Sequence, residues 1–368
     1  MKSSQKSVIC PKCHHIVPLK FFICPNCRRV QKVVPTEKSI FFFQCECGKV
    51  LPTTNENDRH LLTAVCPECY NIIGPKAGIH KEIIIPIIGG PSTGKSAFLG
   101  AWIVIAQQLF PRKYEMNISF PFPEDKKYVK NCNFLWSRGL KPEKTTVALP
   151  NGIGMDVVRQ GKSHGLRIYC YDPAGEFFDN TKILKNFVFY DYMDGAIFLI
   201  DPFTIKAVRN KFCSQIFQMS SVGFQVSDRD VNDYCDRFIN SLKRYHNLKD
   251  NQYHYAFCAV VITKTDAFDL DSYIGEKAVS VVMSKNPKLS FNEALNLVCV
   301  NFLETGGLGD VLEKLRTHFK EVRCFSVSAF GHMPDLNDDY NPKRVEHPFL
   351  WLLSKTGNIK WSGTQNSL

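Results

Sequence analysis

Eight of the chain's fifteen cysteines stand in four tight pairs within the first 69 residues: Cys10 and Cys13, Cys24 and Cys27, Cys45 and Cys47, Cys66 and Cys69. Thiolates two or three residues apart on a tight turn can grip one tetrahedral ion, and two such turns complete a four-ligand shell. The spacing therefore implies two structural zinc sites, because ordinary core thiols have no reason to repeat it. A second constellation lies at 82–110, EIIIPIIGGPSTGKSAFLGAWIVIAQQLF, which predicts an apolar strand, a Gly-rich turn and an apolar helix starting near Lys95. Such a turn is chemistry for phosphate. Gly89 and Gly94 let the loop through Pro91, Ser92 and Thr93 wrap with its N–H groups inward, and the helix start at Lys95, Ser96 and Ala97 adds positive potential. Lys95 reaches terminal phosphates and Ser96 offers an oxygen to Mg²⁺. Pro86 falls inside a strand that should be central, where its missing N–H predicts a bulge.

Around the cysteines, CPKC, CPNC and CPEC each hold a Pro after the first Cys, and CECG ends in a Gly that can bend the chain back. These turns resemble the knuckles of zinc ribbons. His14 and His15 fall outside shells that four cysteines already fill, and are expected at the surface. A segment of this size cannot bury enough apolar surface unaided, so metal binding would itself supply folding energy. Ribbons dock on proteins or on nucleic acid, and basic-aromatic stretches such as CRRVQK fit both. Gly and Pro in NIIGPKAGIHKE, residues 71–82, place a boundary there. The expected organisation is a double-ribbon module at 1–75, a larger domain at 82–355 and a flexible tail at 356–368.

The elements that must position the phosphate turn follow in order. Residues 155–171, MDVVRQGKSHGLRIYCY, predict a hairpin whose second strand ends in Asp172-Pro173-Ala174-Gly175-Glu176. An acidic side chain there can hold Mg²⁺ through water, and Gly175 can offer its N–H to the terminal phosphate. DGAIFLIDPF at 194–203, AFCAVVITKTD at 256–266 and VRCFSVSAFG at 322–331 predict three further strands. This order resembles GTPases of the translation-factor and Ras-like class, and the Gly89-to-Ser96 turn matches their Walker A pattern. The resemblance implies an α/β P-loop NTPase fold, a three-layer αβα domain with a mostly parallel sheet and one antiparallel strand. It implies GTP or GDP with Mg²⁺ as cofactor. Asp266 would accept from guanine's N1–H and amine, Lys264 would lie across the ring, and Ser328-Ala329 would face the ring oxygen. Thr263 stands where the family more often has Asn, which puts its tie to the phosphate loop in question.

The same resemblance implies a GTP-hydrolysing switch. Where Ras-like enzymes orient water with a Gln, this chain has Glu176, whose charge beside the phosphates implies slow turnover without a partner; a binding module with little turnover is the alternative reading. Thr145 and Thr146 are candidate switch threonines for Mg²⁺, with Thr146 preferred. Segments 111–150, 204–255 and 267–320 are expected as helical insertions, the first as a partner-binding or membrane-facing element or a solvated loop. The DPAGE form, the insertions and the closing EHPFLWLL most resemble bacterial double-GTPase proteins of conflict systems. That likeness implies a second GTPase or another protein effector as partner and a role in defence.

Composition sets limits on the rest. Hydrophobic residues make up 44% of the 368 and charged residues 22%, ordinary for a globular chain, with 28 Phe against 4 Trp. The formal charge of +11 favours acidic partners, nucleic acid among them. Residues 1–80 carry 11 Lys and Arg against 5 Asp and Glu, a surplus that eight thiolates around two divalent ions reduce to about two. The longest apolar run, Ala97 to Phe110, is too short to span a bilayer, and the amino terminus has no apolar segment before its cysteines. A cytoplasmic protein is expected. Cys132, Cys170, Cys213, Cys235, Cys258, Cys299 and Cys324 sit mostly among apolar neighbours and predict core packing rather than catalysis.

Overall fold

The computed structural model describes residues 7–37, 39–54, 58–74, 76–138, 140, 152–172, 192–246, 254–333 and 340–361. Thr145, Thr146, Gly175 and Glu176 lie outside these. The fold is mixed α/β. The chain divides into two compact units: Met1–Ile83 with Tyr114–Lys126 and Asn151–Tyr169, and Ile84–Lys113 with Lys127–Pro150 and Cys170–Leu368.

In the first unit the cysteine turns alternate with three-residue strands: β1 (Ser7–Ile9), β2 (Ile16–Pro18), β3 (Phe21–Ile23), β4 (Val30–Lys32), β5 (Phe42–Gln44), β6 (Val50–Pro52), β7 (Thr63–Val65) and β8 (Ile72–Gly74). They form antiparallel hairpins β1-β2 and β5-β6 and a sheet in the order β4-β3-β7-β8. Four of the eleven buried residues in its core are the ligand-type cysteines Cys10, Cys24, Cys45 and Cys66, so little apolar mass remains. A core this thin needs another source of stability. The same unit buries a polar network in which Arg167 grips Asp156 through two hydrogen bonds, Nε to Oδ1 at 2.6 Å and Nη2 to Oδ2 at 2.9 Å, beside His80.

A seven-stranded sheet has the order β10-β11-β12-β9-β13-β14-β15, with β9 Lys81–Ile88, β10 Met116–Ser119, β11 Ile153–Arg159, β12 Leu166–Tyr171, β13 Gly195–Ile200, β14 His254–Ile262 and β15 Phe319–Ser326. β13 pairs in parallel with both β9 and β14, and β14 with β15, whereas β10 pairs antiparallel with β11. Parallel strands are covered on both faces, which is why GAIFLI is buried at every position. The 111–150 segment contributes an edge strand, β10, as well as helix α2 (Pro123–Trp136). The Ile84 N–H goes to Asp194 Oδ2 at 3.0 Å, and the β9-β13 ladder begins at Ile87 opposite Ile197, past the proline.

Helices cover both faces of the parallel strands. Gly195 and Phe198 are three residues apart on β13 and therefore face opposite ways. Leu352 of the closing helix Glu346–Lys355 sits against Gly195, and Tyr234 of helix Val231–His246 stacks on Phe198 with centroids 5.1 Å apart. Helix α1 (Lys95–Tyr114) joins the closing helix through Trp102 stacked on Phe349 at 4.3 Å. The 3.6-residue periodicity of 231–246 thus does what it predicts, packing on the sheet with Tyr234, Cys235, Phe238 and Leu242 buried.

Candidate functional site

The four cysteine turns close into two tetrads in a nested arrangement. Cys10, Cys13, Cys66 and Cys69 form one, and Cys24, Cys27, Cys45 and Cys47 the other, with all ligand atoms of each within 4.8 Å of one another. Facing sulfurs are 3.6 Å apart for Cys10 and Cys69 and 3.7 Å for Cys24 and Cys47. Tetrahedral Zn–S bonds put ligand sulfurs about 3.8 Å apart, so each tetrad could hold a zinc ion. Local sequence builds the turns. In CPKC, CPNC and CPEC the residue four past the first Cys donates its N–H back to that cysteine's carbonyl, and it takes a left-handed backbone in His14, Arg28 and Tyr70. The shorter CECG turn closes one residue earlier on Gly48, at φ 83°. His14, expected at the surface, is buried, whereas His15 is exposed. Burial pushes the Cys13 thiol up to about 11, while the Asn26 amide and the Lys49 N–H draw Cys47 down to about 6. A divalent ion supplies the charge that lets all four sulfurs be thiolates.

The Gly-rich turn joins β9 to α1, and α1 begins at Lys95. A Cβ on Gly89 would lie 2.8 Å from Thr93 Oγ1 and 3.2 Å from the Leu199 carbonyl, so only glycine fits, and Gly94 adopts φ 90°. Ser92 also has positive φ. Lys95 is buried, its ammonium donating to the Gly89 and Gly90 carbonyls at 2.9 Å each, and Thr93 Oγ1 donates to Gly90 O at 2.8 Å. Ser96 Oγ donates to Asp172 Oδ2 at 2.6 Å. Two of the three residues expected at Mg²⁺, Ser96 and Asp172, therefore meet although 76 residues separate them, and the third, Thr146, lies outside the described residues.

The end of β14 lies against the same loop. Thr263 Oγ1 donates to Thr93 O at 2.9 Å, so a hydroxyl makes the tie that the replacement of Asn put in question. Lys264, at φ 56°, points its ammonium to Ser92 O at 2.8 Å. Asp266 is half-buried, and burial pushes its carboxyl above the usual range against the opposing hydrogen bond from Ser328. The 326–331 segment holds Ser328 through reciprocal backbone bonds with Lys343 and a Gly331 N–H to Ser328 Oγ bond of 2.7 Å. Ala329 beside it is half-buried.

One functional candidate escaped the sequence reading. Asp201, the last polar residue of LIDPF, is fully buried, and its Oδ2 accepts from Lys264 at 2.5 Å and from the Ser227 N–H at 2.7 Å. An Asp-Pro pair closing an all-apolar strand was the available signal. Of the predicted residues, Gly89, Pro91, Ser92, Thr93, Gly94, Lys95, Ser96, Ala97, Asp172, Thr263, Lys264, Asp266, Ser328 and Ala329 fall at strand ends or on the loop and helix that follow β9. Among the described residues, no helix is long and apolar enough to cross a membrane. No protein-family model matches the chain, and no curated protein matches it.

Proposed function

We propose that the chain is a guanine-nucleotide-binding P-loop protein that acts as a GTP-hydrolysing switch, with zinc-stapled ribbons as its docking element. The observation that carries this reading is the meeting of two loops distant in sequence. Thr263 and Lys264, just before Asp266 in the chain, bond the carbonyls of Thr93 and Ser92 at 2.9 and 2.8 Å, and the same Gly-rich turn leads into Ser96, which donates to Asp172. That arrangement suits a ligand with a purine at one end and Mg²⁺-bound phosphates at the other. Asp266 would select guanine through the exocyclic amine that adenine lacks.

Glu176 in place of a neutral water-orienting side chain favours slow turnover, and the resemblance to conflict-system double-GTPase proteins supports a partner that accelerates it. The ribbons would engage that partner or nucleic acid. Two measurements test the reading on the purified full chain. Nucleotide released on denaturation is expected to be GDP or GTP by chromatography, and adenine nucleotide would refute the base assignment. Phosphate release from GTP is expected to fall to background in Asp172→Ala; equal release by both proteins would refute hydrolysis at this site, and release by neither would leave a binding module.

A further inference from the structure

Lys264 is held by three acceptors from three different parts of the chain. Its ammonium donates to Asp201 Oδ2 at the end of β13 at 2.5 Å, to Ser92 O in the Gly-rich turn at 2.8 Å, and to Gln225 O at 2.6 Å in the segment between β13 and β14. An ammonium has three N–H donors, so its direction is fully specified. We infer that Asp201, together with residues 224–227, is a positioning element that fixes Lys264 across the purine site and so sets how long a guanine nucleotide stays bound. This inference rests on the nucleotide reading above.

The geometry around Asp201 supports a positioning role over simple stabilisation. A fully buried carboxylate is costly, and an ion pair with one buried partner is a poor source of net stability. Both oxygens of Asp201 are engaged: Oδ1 takes the Phe203 N–H at 3.0 Å, and Oδ2 takes the Ser227 N–H at 2.7 Å beside the Lys264 ammonium. The 224–227 segment is fastened independently. Arg209 donates to the carbonyls of Phe203 and Ser227. Phe224 packs on Phe203 at 5.7 Å and on Phe268 at 5.6 Å, two residues past Asp266, and its ring lies 5.6 Å from the Lys264 ammonium. Gln225 Oε1 also accepts from Ser92 Oγ at 3.5 Å. The segment between β13 and β14 thus reaches both the Gly-rich turn and the lysine that would cover the base.

The test is nucleotide dissociation from the full chain, followed with a fluorescent GDP analogue. Asp201→Asn keeps the shape and removes the charge, and is expected to speed release by about tenfold or more while leaving the preference for guanine over adenine, which belongs to Asp266, unchanged. A purely structural role would also lower affinity, so the deciding readout is a double-mutant cycle with Lys264→Met. If Asp201 acts through Lys264, adding Asp201→Asn to Lys264→Met changes release by less than about twofold. Unchanged release in the single variant, or single effects that multiply in the double, would overturn the inference. Should Asp201→Asn fail to fold, Phe224→Leu is expected to speed release a few-fold, and no change there would overturn it equally. Failure of the unaltered chain to bind the GDP analogue would instead sink the nucleotide reading itself.

Discussion

In the proposed reading, base selection rests on the single side chain of Asp266. Burial makes its carboxyl expensive to leave without donors, and Ser328 supplies only part of what it can accept. A purine with two suitably placed N–H groups would satisfy it, and one without them would leave it unpaired, a difference on the order of 10⁴ in discrimination. Asp266→Ala is therefore expected to remove most of the preference between GTP and ATP in a competition titration; an unchanged preference would end the guanine assignment. A second buried carboxylate makes a pH prediction. Desolvation raises Asp125 from its ordinary 3.8 to about 7, with the Gly154 N–H on its Oδ2 at 3.2 Å. A carboxyl raised in the folded state binds its proton more tightly there than in the unfolded chain, so it favours folding below about pH 4 and loses that contribution as pH rises through 7. Asp125→Asn stays neutral throughout. Its stability relative to the parent should rise between pH 5 and 8, by on the order of a few kcal/mol, and parallel melting curves over that range would refute this.

At the scale of elements, the cysteine knuckles are local and their partnership is not. Each turn spans four or five residues and is closed by a residue of positive φ whose N–H returns to the carbonyl of the first Cys, with a Pro after that Cys in every turn but CECG. Which turns share an ion is decided at a distance: Cys24 and Cys27 meet Cys45 and Cys47, whereas Cys13 reaches Cys66 across 53 residues. Zinc content distinguishes this nesting from pairing of neighbours. Replacing Cys10 and Cys66 with Ser disables one tetrad and should leave about one zinc per chain, whereas replacing Cys10 and Cys24 disables both and should leave none. Equal loss in the two double variants would contradict the nested arrangement. The parallel strands show the same division between local and distant. β9, β13 and β14 were legible as apolar runs, because burial on both faces leaves no polar alternation, whereas β15 carries Lys320, Glu321 and Arg323 before its buried end. β10 was not legible, since MNIS is four residues long with only alternate positions half-buried, a pattern that a loop shares.

Across the whole molecule, the sheet is a frame that brings strand ends to one edge. With β9, β13 and β14 parallel, the residues after each strand, Gly89, Asp201 and Thr263, emerge on the same side, and the hydrogen bonds among Thr93, Ser92, Thr263, Lys264 and Asp201 follow from that placement. The frame depends on aromatic packing at its back. Trp102 stacks on Phe349 with planes 8° apart and meets Phe110 edge-on at 5.9 Å, while Phe98 also stacks on Phe349 at 5.5 Å. Trp102→Ala is expected to cost about 3–5 kcal/mol, read as a lowered urea midpoint with little change in the slope. A loss below 1 kcal/mol would show that the closing helix is not held through this stack.

The sequence by itself determined the features that depend on near neighbours: four metal-type turns, a Gly-rich turn between a strand and a helix, the parallel strands, and the amphipathic helix at Val231–His246. These follow from backbone geometry and from periodic burial, both of which act over a few residues. Tertiary structure alone decided which cysteine turns pair, that Ser96 meets Asp172, that a Thr hydroxyl suffices at 263, and that Asp201 holds Lys264. Each of those is a contact between side chains far apart along the chain. The order and direction of the strands bring such residues within a hydrogen bond of each other, and no local spacing encodes that distance.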